Sequence, residues 1–433
     1  MPKFPSNIQV KNHVIEAAAS FFEESQDHLS KLPILSSENI AFTESLKLVE
    51  IEIPNWASSI ISNKKLLVPS ELVTEEMQWF NIDWWAAVFI LLECWHERNW
   101  EEKYGSINSY SNNLKNWDQR AWEKPIVNEI LLFLDLWFSE LFGVNKAPNV
   151  LPMSNLTLTF DLDAISKAPV HTLKHFLFLF YRASKSVKKL KFNEFSRDMN
   201  YIVQFIINSK ETNLCENFKS FLISNNNLSN MRINIYVCLD SKRKMFNFYD
   251  PRYTVGVELR ELLVHILNSK MSVGLHTSVK AANDSELIRL EKNMLEGIIG
   301  YSVKDNRNHW LRFSWRDTWS ALEGNFFEHD ETLMFNDRPG FRNSMSFTWK
   351  PWNSRENRTF DIRATPTIFM DSHFYMYLDL SPTQIRAAIW ELWEKNNKFN
   401  GRASVLWHPH TLSPRYSWHV GFNEVLQILQ LNK

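Results

Sequence analysis

Hydrophobic positions change period along the chain, and the changes outline its elements. From Leu156 to Asp163 apolar and polar residues alternate. Leu156, Leu158, Phe160 and Leu162 share one face, and Thr157, Thr159, Asp161 and Asp163 the other, as strand geometry requires. The period of two recurs over Ile233, Ile235, Val237 and Leu239, over Met271, Val273 and Leu275, and over 403–407, with a short strand expected at 301–306. Between these strands the apolar spacing lengthens to three and four. It predicts helices over 257–268, after Asp284 (Leu287, Leu290, Leu295, Ile298), and from Ser381-Pro382 (Ile385, Ile389, Leu392, Trp393) to a closing Gly401. Repeated strand–helix units predict an α/β architecture with a parallel sheet or barrel, whose chemistry sits at the C-terminal ends of the strands.

The first third reads differently. A helix begins near Asp83 and carries Trp84, Val88, Leu91, Leu92 and Trp95; a polar loop spans 104–113; a second helix spans 125–142 with Pro125 in its first turn. Polar residues over 145–152 mark a boundary. The expectation is a mixed, helix-rich N-terminal domain over 1–150 and a barrel over 151–433, with a helical insertion at about 171–224. The longest apolar runs, 84–92 and 176–181, are too short to cross a bilayer, so no transmembrane segment is expected.

Composition narrows the function classes. The 433 residues have room for two or three domains, and 44% hydrophobic with 22% charged residues describes a soluble globular protein. A net charge of −1 gives no reason to expect nucleic acid or an acidic membrane as partner. Cys94, Cys215 and Cys238 lie far apart and form neither a disulfide framework nor a CxxC clip. With no apolar leader near Met1, the expected location is the cytoplasm. The 18 tryptophans suit a large core, and aromatic rings also line sugar sites.

Four strand ends carry polar groups suited to chemistry: Asp161 and Asp163, then His276, then Arg307 and His309, then His408. Taken singly, each also reads as a hydrogen-bonded structural residue or a helix cap. A barrel would bring all four together. Two carboxylates on one strand face repel unless a cation or a shared proton holds them. A divalent ion on Asp163 and histidines would lower the pKa of its water and polarise a carbonyl. Asp161 then suits the base, Arg307 holds that base charged and oriented, and His408 suits the acid for a leaving amine. Such a set fits amide hydrolysis.

In this order the strand ends resemble the polysaccharide deacetylase superfamily (NodB homology, carbohydrate esterase family 4). Thr159-Phe160-Asp161-Leu162-Asp163 is similar to its first motif, His276-Thr277-Ser278 to the start of H-[ST]-x-x-H, Arg307 to its third-motif arginine, and Leu406-Trp407-His408 to L-x-H. A narrower bacterial branch is similar over nearly the whole chain. It matches Gly274-Leu275-His276-Thr277-Ser278, Arg307-Asn308-His309-Trp310-Leu311-Arg312, Asp330-Glu331-Thr332, Asp337-Arg338-Pro339-Gly340-Phe341-Arg342, Met370-Asp371, and N-terminal pieces at 83–92 and 125–128. The resemblance implies a distorted (β/α) barrel of the NodB type, a divalent metal, with Zn2+ as the expected ion, and removal of N-acyl groups from amino sugars. Lys280 stands where the motif has its second histidine. His309 is the expected replacement, giving Asp163, His276 and His309 as ligands. Arg342, Asp330, Asp371 and Trp407 are expected at the substrate, with salt bridges or core packing as the other reading of each; Trp310 and Trp315 are further candidates for stacking. The expected activity is deacylation, acetyl or another acyl group, of an N-acylated sugar in a surface polysaccharide or lipopolysaccharide precursor. The alternative is a barrel that has lost catalysis and binds a glycan or a partner protein.

Overall fold

A computed structural model describes residues 2–35, 40–59, 64–74, 77–144, 153–163, 214–225, 228, 232–239, 256–412 and 418–431, with isolated positions between 180 and 203. The expected boundary at 145–152 lies outside the described residues. So does most of the insertion at about 171–224, of which the helix Leu214–Ser224 is described.

In chain order the strands are β1 (Leu48–Glu52), β2 (Lys65–Pro69), β3 (Asn155–Leu162), β4 (Ile233–Val237), β5 (Ser272–Thr277) and β6 (Asp305–Asn308). They continue as β7 (His329–Asp330), β8 (Trp352–Asn353), β9 (Arg358–Thr359), β10 (Arg363–Ala364), β11 (Thr367–Met370) and β12 (Arg402–Trp407). Two antiparallel pairs, β1–β2 and β8–β9, stand apart from one eight-stranded sheet of order β10-β7-β6-β5-β4-β3-β12-β11. Every pair in that sheet is parallel.

The edges of this sheet, β10 and β11, are consecutive in sequence. Only Thr365 and Pro366 separate them, a link that spans about 11 Å at most. The sheet must therefore curl until its edges meet. Thr365 N donates to Asp330 O on β7 (2.9 Å), and Ser404 N on β12 donates to Pro366 O (2.9 Å), which ties both sides of the seam to one dipeptide. Helices cross back outside: Val257–Asn268, Ser285–Ile299, Thr318–Glu323, Pro382–Lys398 and His419–Leu431. Asp284 caps one of them, accepting from Glu286 N and Leu287 N, and a Ser381–Gln384 capping box with Pro382 opens another.

The alternation in β3 sorts as its sequence requires. Phe160 faces the helices, 5.1 Å from Phe218 and 6.0 Å from Phe422 between ring centres. Thr159 and Asp161 face the interior, where both meet Arg307. Two expectations shift. The strand expected at 301–306 begins at Asp305, and Gly401 precedes β12 while Phe399 caps the helix before it.

In the N-terminal segment the helices Asn7–Phe22, Trp84–Leu92, Trp95–Tyr104 and Ile126–Phe142 pack on one another and on β2. The helix expected to run through Trp95 breaks at Cys94, whose φ is 45°. All nine residues Trp84–Leu92 are buried. No helix among the described residues is long and apolar enough to cross a membrane. The segment shares one buried core with the barrel. Glu93 accepts from Trp349 Nε1 (2.9 Å) and Trp352 N (3.0 Å), Glu97 pairs with Arg342, and Glu101 accepts from Trp315 N (2.8 Å). Three carboxylates, Glu93 at the end of one helix and Glu97 and Glu101 one turn apart on the next, thus grip the barrel.

Candidate active site

The barrel interior is filled by one cation. Arg307, at 0% exposure, donates from Nη1 to Thr159 Oγ1 (2.6 Å) and Asp161 Oδ1 (3.2 Å). Its Nη2 donates to Thr367 Oγ1 (2.9 Å), its Nε donates to Glu331 O (3.0 Å), and its guanidinium carbon lies 4.8 Å from the centre of the Tyr236 ring. Glu331 accepts in turn from Tyr236 OH (2.7 Å). One arginine is therefore shared between two carboxylates, Asp161 above and Glu331 below, with Glu331 Oε2 3.5 Å from Nη2.

His276 stands at the end of β5. Its Nδ1 lies 3.0 Å from Arg307 O, and a carbonyl only accepts, so Nδ1 carries the proton. Burial pushes its pKa down to about 4, against the pull of Asp161. At neutral pH its Nε2 is a bare lone pair, and it faces Asp161 Oδ2 at 3.6 Å. Two acceptors facing one another require a cation between or beside them.

Asp163, just beyond β3, collects three imidazoles. His410 Nδ1 lies 3.4 Å from Oδ1, and His309 Nε2 and His408 Nε2 each lie 3.9 Å from Oδ2. Burial pushes the carboxyl up, but His410, His408 and His309 outweigh it and hold the group well below the usual carboxylate range. The His309 ring also lies 4.9 Å from that of His276.

His408, just past β12, is locked from behind. Its Nδ1 donates to Asp371 Oδ1 (2.7 Å), while Asp371 Oδ2 accepts from His408 N (3.0 Å) and Thr411 Oγ1 (2.8 Å). Burial opposes charge on this ring, yet Asp371 carries its pKa up to about 10. Met370 and Leu406, just before Asp371 and His408 in the chain, form with Leu311 and Met334 an apolar cluster separate from the main core.

The donors suit a divalent cation in kind: the Asp163 carboxylate, held ionised, and imidazole nitrogens, that of His276 kept neutral by burial. A tetrahedral ion with bonds of about 2.0–2.1 Å sets its donors roughly 3.3 Å apart. The 3.4 Å pair meets that spacing and the 3.9 Å pairs are wider. As they stand, no three His, Cys, Asp or Glu groups among the described residues converge closely enough to hold an ion.

The residues expected from sequence divide into two groups. Asp161, Asp163, His276, Arg307, His309 and His408 come together. Lys280 is exposed in the turn after β5, and His309 occupies the inner position beside His276. Of the four expected at the substrate, Arg342, Asp330 and Trp407 are placed elsewhere. Arg342 is buried against Glu97, Ser109 Oγ (2.7 Å) and Met334 O (3.0 Å), and so joins the two segments of the chain. Asp330 is buried and accepts from Asn306 Nδ2 (2.9 Å), Thr332 Oγ1 (2.6 Å) and Trp319 Nε1 (2.9 Å). Trp407, at 0% exposure, points outward into the helices beside Phe422. Asp371 lies at the site, but it holds His408 rather than facing outward. Their partners are set by long-range packing, which their sequence neighbours do not reveal. His410 is the residue sequence reasoning missed; the signal was the His408-Pro409-His410 triplet just after the last strand.

No protein-family model matches the chain, and no curated protein matches it. Among solved structures it is similar to one from Mycobacterium smegmatis, described provisionally as a polysaccharide deacetylase, at 16% identity. The similarity covers 64% of this chain and 84% of that one, with a TM-score of 0.34. A likeness of that size transfers no function, so the site's own residues must carry it.

Proposed function

We propose that the protein is a hydrolase of the polysaccharide deacetylase type, removing an N-acyl group, acetyl in the simplest case, from an amino sugar. The observation that carries this reading is the meeting of Asp161, Asp163, His276, His309, His408 and His410 at the C-terminal ends of parallel strands. The strand-end motifs support assignment of the barrel to the NodB type and of the substrate to glycan precursors of a cell surface.

Asp163, His276 and His309, with His410 beside them, would hold a divalent ion such as zinc. When bound, such an ion acidifies water and polarises the acyl carbonyl. Asp161 is oriented by Arg307 and takes a proton from the attacking water. His408, kept cationic by Asp371, carries the proton that the leaving amine requires. The apolar cluster of Leu311, Met334, Met370 and Leu406 supplies a flank compatible with an acyl group.

The test is acetate release from N-acetylglucosamine oligomers with divalent metal present. The wild type is expected to release acetate, and Asp161→Asn and His408→Ala to slow release by about a hundredfold or more. One observation favours a second reading, a glycan-binding barrel without turnover: the exposed Lys280 at the motif's ligand position. Glycan binding without acetate release, unchanged by both substitutions, would establish that reading instead.

A further inference from the structure

We propose that Trp310 is the platform on which a sugar ring of the substrate stacks, held at the rim of the site by a left-handed turn that the N-terminal segment pins in place. The proposal rests on the reading that the substrate is a carbohydrate.

The backbone carries the first observation. Trp310 has φ 56° and ψ 25°, and Leu311 follows with φ 46°. Two successive left-handed residues, neither of them glycine, are rare and costly, and the second is a bulky leucine. The turn sends three consecutive side chains three ways. His309 is 7% exposed and points to Asp163, Leu311 is 2% exposed and enters the apolar cluster, and Trp310 stays 44% exposed. Strain here does not serve to bury the largest ring in the turn. It serves to present that ring.

The second observation is how much holds the turn. Asn336 Nδ2 donates to Trp310 O (2.6 Å) and to Asn108 O (3.3 Å), and Asn336 N donates to Ser109 O (2.7 Å). Ser109 Oγ donates to Leu311 O, and Ser106 Oγ to Phe313 O. Asn108 and Ser109 are themselves left-handed, with φ 48° and 65°. Two strained pairs, one from each part of the chain, thus hold each other through Asn336.

The third is position. The indole centre lies 6.3 Å from the His309 imidazole, whose ring lies 4.9 Å from that of His276. A pyranose lying on the indole would keep its substituents beside His309. An aromatic face takes the apolar C–H face of a pyranose and leaves its hydroxyls in water, which suits an exposed rim.

The experiment titrates the full-length protein with N-acetylglucosamine tetramer by calorimetry and measures melting temperature alongside. Trp310→Ala is expected to weaken binding about tenfold, and Trp310→Phe to recover most of it. Trp310→Gly is expected to bind as weakly as the alanine variant while melting no lower than wild type, because glycine adopts this backbone without strain. Unchanged binding by Trp310→Ala, a lowered melting temperature of Trp310→Gly, or no binding by the wild type would each overturn the proposal. Acetate release separates it from the parent reading. Release with an unchanged KM in Trp310→Ala rejects the platform alone, and Trp310-dependent binding without release rejects the hydrolase alone.

Discussion

Asp371 and His408 show at residue scale how the site is built. The carboxylate accepts from His408 N, His408 Nδ1 and Thr411 Oγ1, so its loss removes both the orientation and the charge of His408. Asp371→Asn is expected to lower kcat by about 10²–10³-fold with little change in KM, read from acetate release. Around Asp163 the residues separate by placement. His410→Ala is expected to weaken metal affinity roughly 10–100-fold, and Lys280→Ala to leave it unchanged, in metal titrations. Most of this cluster was legible in sequence because strand alternation put Asp161 inside, and strand ends put His276, Arg307, His309 and His408 on one side. His410 was less legible, because it lies on the short turn after β12, where period-two alternation no longer applies. For Asp371 sequence left substrate contact and a salt bridge open, because the partner that decides, His408, lies 37 residues away.

Elements explain which glycines the fold requires. A Cβ on Gly274 in β5 would come within 2.6 Å of the Tyr236 ring and 2.8 Å of Asp305 O. That ring supports both Arg307 and Glu331. Gly274→Ala is expected to destabilise the fold by about 1–3 kcal/mol and to reduce activity by displacing Arg307, measured by denaturant unfolding and turnover. Gly340 has φ 132° and would place a Cβ 2.3 Å from Trp122 O, which explains the glycine before Phe341 and Arg342 at the contact with the N-terminal segment. The long elements were legible: β3, β5, β12 and the capped helices carry several turns or alternations each. The two-residue strands β7 and β10 carry no period at all. They exist because the curled sheet supplies their partners, and without them the closure through Thr365 and Pro366 cannot be read.

At the scale of the whole molecule, the N-terminal segment and the barrel share one buried core and are expected to unfold together. Glu93, Glu97 and Glu101 leave the helices of one part to satisfy donors of the other, and separating the parts would strand buried charge. Calorimetry is expected to record a single unfolding transition, and residues 151–433 alone to be insoluble; two resolved transitions would contradict this. The sequence boundary at 145–152 marks a change of pattern and lies outside the described residues, while the segments on either side of it share one core. Acid should loosen the same body through Glu71, which bonds His96 at 2.8 Å. Burial raises its pKa, but His96 outweighs burial and brings it down to about 2. A depressed carboxyl stabilises the fold above its unfolded pKa, near 4.3, and the contribution is lost as pH falls toward 2. The stability gap between wild type and Glu71→Gln, roughly 3 kcal/mol at pH 6 from that shift, is expected to narrow by pH 3 in urea titrations.

The proposed hydrolysis requires a divalent ion at the strand ends, so the most direct measurement is the metal content of the purified full-length protein and of Asp163→Ala by elemental analysis. About one zinc or similar divalent ion per wild-type chain, lost in the variant, is the expected result. A wild type that takes up no divalent ion when supplied with one, or a variant that retains it, would contradict the account.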